Sequence, residues 1–169
     1  YLHPSGTMQT AGSSFHWLKE VICTSECANA AARGVSPYAL IDEAIRQSPP
    51  GANGVLFLPY MLGERTPWWN PNARGAFIGL NLATQRSDLL RAVMEGITMN
   101  LGIIVNIFRR HVAIDAVTVI GGGAQSAVWR QMMADIYGCR VESLNYLEEA
   151  TSMGAAVVGG VAVGLFKDF

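Results

Sequence analysis

Cysteine is scarce in this 169-residue chain: Cys23, Cys27 and Cys139 are the only three, and no C-x-x-C pair is among them. An odd number without close pairing excludes a disulfide scaffold and predicts free, mostly buried thiols in a reducing cytosol. Cys23 and Cys27 share one helix face with no further ligand type beside them in sequence, which favours packing over a metal. Charge is also sparse, at 15% of residues, with 12 Lys plus Arg against 13 Asp plus Glu. No long basic run occurs, which argues against a nucleic-acid partner. The one membrane candidate, MGAAVVGGVAVGLF (153–166), falls short of the roughly 20 residues a spanning helix needs. No G-K-[ST] is present, so a Walker loop is excluded. The polar opening YLHPSGTMQT is not a signal peptide. No Met opens the chain, and it stops at Lys167-Asp168-Phe169, which together predict a piece of a longer protein.

What is present is apolar and periodic. Half the residues are hydrophobic, enough for one core and too many for disorder. A helix is expected from a cap at Ser13 or Ser14, with Phe15, Leu18 and Ile22 on its buried face and Gly34 as its stop. Ser36-Pro37 opens a second helix faced by Leu40, Ile41, Ala44 and Ile45. VLFLP (55–59) reads as a buried strand, YMLGERTPWWNPNAR (60–74) as a long loop and Ala76–Leu80 as another short strand. Ser87 is the expected cap of the longest helix, 88–110, whose core face runs through Leu90, Val93, Met94, Ile97, Leu101, Ile104 and Phe108. Gly96 and Gly102 are costly inside it and predict close packing. AVTVI (116–120) and RVE (140–142) are strands flanking a helix that Ser126 caps and Gly138 ends, and a Gly- and Ala-rich helix over 150–166 closes the chain. Helices alternating with short strands make the class α/β.

The run VIGGGAQSAVWRQM (119–132) is the chemically suggestive stretch. Glycines let backbone approach an anion, and the helix behind them offers free N–H groups and a partial positive charge. On these residues alone a plain tight corner is as good a reading. Gly121-x-Gly123-x-x-Ser126, with Glu142 about twenty residues on, also approaches the dinucleotide fingerprint. Its third glycine is missing, and it lies near the end of the chain rather than at the start of a domain.

Four ordered stretches together resemble the FGGY family of carbohydrate kinases. GAFIGLNLATQRSDLLRAVME (75–95) is similar to that family's second signature, with Gly75, Gly79, Asp88, Ala92 and Glu95 in place. FLPYMLGERTPWWNPNARG (57–75) resembles the preceding loop, including a Glu-Arg-Thr-Pro run of the xylulokinase type. IGGGAQSAVWRQMMADIYG (120–138) is similar to the adenosine-binding turn, and EEATSMGAAVVGGVAVGLF (148–166) to the helix after it. The resemblance spans essentially the whole chain. It implies an actin-like, RNase H-like ATPase lobe: residues 1–169 would be an incomplete carboxy-terminal, nucleotide-binding domain of a sugar kinase. It further implies that Gly122, Gly123 and Ser126 contact the adenosine end of ATP, and that Gly12 and His16 in AGSSFHWLKE (11–20) line the same site. The implied reaction is transfer of the γ-phosphate of ATP, with Mg²⁺, to a sugar hydroxyl. D-xylulose is the expected acceptor, with a gluconate- or glycerol-type substrate, an NAD-binding oxidoreductase domain or a non-catalytic actin-like module as alternatives.

The family's catalytic Asp and its Gly-Thr-Ser-Gly phosphate loop have no counterpart here, and GSS (12–14) does not replace the latter. Asp42, Asp88, Asp115 and Asp135 match no catalytic motif, so no catalytic residue and no metal ligand is assigned, and the piece alone is expected to be inactive. The sugar would be held mainly by the other lobe. Glu64, Arg65, Trp68 and Trp69 read as packing or interface residues, a homodimer being one arrangement, and Arg74 as pairing with a carboxylate. Arg130 reads as a solvated charge, and Met94, Met99, Met132, Met133 and Met153 as core filler.

Overall fold

The computed structural model describes residues 4–147 and 149–168, so Glu148 of the last motif lies outside the described residues. The elements run α1 (Gly12–Trp17, continued by a π turn over Leu18–Ile22), α2 (Thr24–Arg33), α3 (Pro37–Arg46), β1 (Leu56–Leu58), β2 (Ala76–Ile78), α4 (Arg86–Arg109), β3 (Ala116–Val119), α5 (Ala127–Tyr137), β4 (Arg140–Ser143) and α6 (Ala150–Ala162). β1 and β2 pair antiparallel, Phe57 opposite Phe77, and β3 and β4 pair parallel, Val117 opposite Val141. The second pair is joined through α5, a βαβ unit with the glycine turn at the end of its first strand.

α4 is the axis of the core. Leu90, Val93, Met94 and Ile97 are fully buried, meeting Ile41 and Ile45 of α3, Phe57 of β1, and Trp129, Met132 and Met133 of α5 within one apolar cluster. Burial of each large side chain stabilises by about 1.5–3 kcal/mol. By length and composition α4 is also apolar enough to cross a membrane, a candidate that the sequence reading gave only to 153–166, but most of it is packed inside the domain. Gly96 has the expected close neighbour: a Cβ there would run into the Phe57 carbonyl. A Cβ at Gly102 would stand 3.4 Å from Ile136 and Tyr137, an ordinary contact distance.

Several expected boundaries move for identifiable reasons. Ser87 does not cap α4. Asp88, three residues past the cap position Gln85, accepts a hydrogen bond from Gln85 N at 2.9 Å. Neither Ser13 nor Ser14 caps α1, which starts at Gly12, and Ser14 Oγ donates instead to Thr10 O at 2.6 Å. The single helix expected up to Gly34 is interrupted at Cys23, whose backbone is non-helical. Burial pushes the Cys23 thiol up to about 11, and the neighbouring Glu26 carboxylate adds to the shift. Gly34 and Gly138 end α2 and α5 in the left-handed conformation, and Ser126 Oγ accepts from Trp129 N at 3.0 Å as the cap of α5. The last helix stops at Ala162 and, Gly160 apart, is not buried; Gly154 and Gly159 meet no close neighbour among the described residues, whereas Gly160 lies against the Phe166 ring. Met99 and Met153 are exposed rather than core filler.

The residues of the 75–95 signature clamp the turn at 48–54 onto α4. Asp88 Oδ1 accepts from Ser48 Oγ at 2.6 Å and Asn53 Nδ2 at 2.9 Å, while Glu95 Oε1 accepts from Gly51 N at 3.0 Å and Arg91 Nε at 2.7 Å. The hydrogen bond from Ser48, then those from Gln85 N and Asn53, hold the Asp88 carboxyl below its ordinary value of 3.8. A depressed carboxyl stabilises the fold above its unfolded pKa, and that stability is lost as pH falls through the folded pKa. We therefore expect the urea midpoint to fall as pH drops through and below the ordinary carboxylate range. The Asp88→Asn variant should be less stable at neutral pH and show a shallower acid slope. Equal slopes would mean that Asp88 is not tied in this way.

Candidate functional site

β3 ends at Val119, and Gly121 then takes φ +77° and ψ −170°, a conformation open to glycine and strained for other residues. This turns the chain through a short 3₁₀ segment, Gly122–Gln125, into α5. Neither Gly121 nor Gly122 has protein atoms where a Cβ would stand, so that side of the turn is open. Gly123 is closed: a Cβ there would sit 3.4 Å from the Trp129 ring. Trp129 is itself held, since its Nε1 donates to Thr98 Oγ1 of α4 at 2.8 Å and its ring packs 5.0 Å from that of Phe15.

The glycine turn, the start of α1 and the first two turns of α3 enclose a cavity of about 410 Å³, within the range that holds small-molecule ligands. Phe15, Tyr38 and Trp129 form aromatic walls, and Gly12, Gly122, Gly123 and Ser126 also line it. Four of the five residues nominated from the sequence thus meet in one place, although they lie up to 114 positions apart, from residue 12 to residue 126. His16 does not join them. Phe15, one residue earlier, takes the inward direction of α1, so His16 is rotated by about 100° onto the exposed side.

The sequence reading missed Asp42. It is 9% exposed, lines the cavity from α3, and accepts a hydrogen bond from Ser126 Oγ on its Oδ2 at 2.7 Å. Its Oδ1 is buried without a partner among the described residues. Burial pushes the Asp42 carboxyl up, opposed by the Ser126 hydrogen bond and the Arg46 charge. No local pattern marks this residue, because its partner is 84 positions away.

Other expectations resolve differently. Among the described residues Arg74 pairs with no carboxylate: its Nη1 donates to the carbonyls of Pro71 and Ala73 at 3.1 and 2.7 Å, bracing its own loop. Arg130 is not a free charge, since its Nη1 donates to the Ala124 carbonyl and ties α5 to the glycine turn. Glu64 is buried and structural, whereas Trp68 and Trp69 are 62% and 75% exposed. Glu142 is exposed, and its ion pair with Arg140 is long at 3.9 Å.

The model of the FGGY family of carbohydrate kinases, C-terminal domain, matches residues 1–163. The chain belongs to that family. It is 39% identical to the xylulose kinase of Staphylococcus epidermidis over 164 residues, covering 96% of this chain and 31% of that protein. It is 33% identical to the gluconokinase of Bacillus subtilis over 169 residues, covering 97% and 32%. The ligand-bound xylulose kinase of Lactobacillus acidophilus superposes with a TM-score of 0.80 at 28% identity, covering 95% of this chain and 31% of that one. This FGGY domain therefore spans about a third of the length of the relatives it matches. The fold is the actin-like ATPase fold of those neighbours, and the dinucleotide-domain alternative is set aside.

Proposed function

We propose that this FGGY domain is the nucleotide-binding lobe of an ATP-dependent carbohydrate kinase and that the aromatic-walled cavity holds adenosine. The observation that carries the reading is the convergence of Gly12, Gly122, Gly123 and Ser126 on that cavity. A planar base can lie against the aromatic face that Phe15, Tyr38 and Trp129 form by packing on one another, and the open face of Gly121 and Gly122 lets the nucleotide pass close to the backbone. The phosphoryl acceptor is a sugar hydroxyl. D-xylulose is the reading favoured by the 39% identity to a xylulose kinase, and gluconate is the alternative raised by the gluconokinase.

Among the described residues no three His, Cys, Asp or Glu side chains converge, and no residue of this chain is assigned as a Mg²⁺ ligand. A Mg²⁺ ion would accompany the triphosphate, and no catalytic base is assigned in this chain. What these residues do is bind the nucleoside, exclude water from the base with aromatic walls, and hold the glycine turn rigid through Arg130 and Trp129. The exposed Trp68 and Trp69 support an interface at the long loop, with the rest of the polypeptide or in a homodimer. Free thiols and the absence of disulfides among the described cysteines fit the cytoplasm.

Calorimetric titration of the chain with ATP, ADP and NAD tests the assignment. ATP and ADP should bind and NAD should not. In Gly123→Val the new methyl groups enter the cavity or displace Trp129, and affinity should fall at least about tenfold, or 1.4 kcal/mol. Binding of ATP unaffected by Gly123→Val would place the nucleotide elsewhere, and tighter binding of NAD than of ATP would overturn the kinase reading.

A further inference from the structure

The Asp42–Ser126 pair fixes the direction of a hydrogen bond inside the cavity. A serine hydroxyl has one proton and two lone pairs and ordinarily turns to suit its partner. Here the proton points at Asp42 Oδ2, 2.7 Å away. One lone pair accepts from Trp129 N at 3.0 Å. What remains for the cavity is the second lone pair of a half-buried oxygen. The proton is also firmly committed, because Asp42 is buried and its Oδ1 finds no donor among the described residues. Turning the Ser126 proton away would leave a buried carboxylate with no donor, the costly case for a group removed from water. Ser126 can therefore accept from a ligand but cannot donate to one.

From this geometry we infer that Asp42 is a specificity-determining positioning residue. By holding the Ser126 hydroxyl as a pure acceptor, it makes the site select a purine with an amino group at position 6 over one with an oxo group there. The inference rests on the nucleotide reading of this cavity. Phe15, Tyr38 and Trp129 pack on one another into a contiguous aromatic face of the cavity, which suits a flat heterocycle better than the puckered, hydroxylated ribose. An exocyclic amine presents N–H to the Ser126 lone pair. A 6-oxo group presents a second lone pair against the first, leaving both unpaired in a place with little water. Sites built to pair a polar group reject the analogue that cannot pair, because the buried partner is stranded.

The test compares ATP, inosine triphosphate and 2′-deoxy-ATP binding to the 169-residue chain by saturation-transfer NMR with competition, which reads weak affinities. Wild type should prefer ATP over inosine triphosphate by at least about fivefold, the scale of one uncharged hydrogen bond. In Asp42→Leu the hydroxyl is released and can donate to the 6-oxo group. Inosine triphosphate should then bind nearly as well as ATP, chiefly by gaining affinity. Asp42→Asn keeps a carbonyl oxygen facing Ser126 and should keep the preference, a rescue that a purely structural role would not produce. Asp42→Ala gives the same readout if the leucine variant does not fold. An unchanged ratio in Asp42→Leu or Asp42→Ala overturns the inference while leaving nucleotide binding intact. So does a wild type that discriminates against 2′-deoxy-ATP but not inosine triphosphate, since the group read would then be on the sugar. Binding of none of the three nucleotides removes the nucleotide reading itself, and this inference with it.

Discussion

Glu64→Ala should lower the unfolding free energy by about 3 kcal/mol, a large share of the roughly 5–15 kcal/mol that holds a domain. The side chain is 4% exposed although it sits in a loop rich in proline and polar residues. Its Oε1 accepts from Gln9 N at 2.8 Å and from Arg65 N at 2.7 Å, and its Oε2 accepts from Asn100 Nδ2 at 2.8 Å. One carboxylate thus joins the segment before α1, the long loop and α4. Gln9 is exposed, so its N–H can recover water when Glu64 is removed. Asn100 is buried, and its amide would lose the carboxylate partner, which is where most of the cost lies. The neighbouring Tyr60 phenol is raised above its ordinary value by its own burial and, after that, by the negative charge of Glu64.

Urea denaturation of Glu64→Ala, Asn100→Ala and the double variant reads this directly. The two losses should be strongly non-additive, because once one partner is gone the other has little left to lose. Additive losses, or a Glu64→Ala cost within about 0.5 kcal/mol as for an ordinary surface change, would mean that the loop is not anchored through this carboxylate.

The contrast between Glu64 and Ser126 marks what could be read in the sequence. Ser126 caps a helix whose apolar stripe begins just beyond it, and Gly138 ends that helix in the left-handed conformation. Both are local signals, and both appear where they were expected. Glu64, Asp42 and Thr98 draw their roles from partners 31 to 84 positions away, so no short window holds the information. The same reason explains the cap of α4. Ser87 fits the local preference, but Asp88 also bonds Ser48 and Asn53, and that tertiary clamp decides where the helix starts. His16 shows the opposite limit. Residue-by-residue resemblance placed it in the site, yet one step around a helix from Phe15 is enough to turn it outward. The exposed Trp68 and Trp69 were legible as residues needing a cover, but not which surface supplies it.

Gly96→Val should be at least as damaging as Glu64→Ala, with a loss above about 3 kcal/mol, at or beyond the usual range for overpacking. The Cβ itself, before any methyl group, would overlap the Phe57 carbonyl oxygen and lie 3.0 Å from its carbon. That obstacle is backbone, fixed by the β1–β2 pairing of Phe57 with Phe77, so it cannot swing aside as a side-chain tip would. Gly102→Ala is the control on the same helix. Its Cβ would meet Ile136 and Tyr137 at 3.4 Å, and the better helix propensity of alanine, about 1 kcal/mol, should offset any adjustment. Thermal melts should separate the two variants by about 10 °C or more, at roughly 2–4 °C per kcal/mol for a chain of this size. Similar melting temperatures would mean that α4 and β1 are not in the contact described. The milder Gly96→Ala carries the consequence into the site. Thr98 lies two residues further along α4 and receives the Trp129 indole N–H, so pushing α4 off β1 slackens a wall of the cavity. Gly96→Ala should therefore weaken ATP binding while touching no residue that lines the cavity, and Gly102→Ala should leave it unchanged.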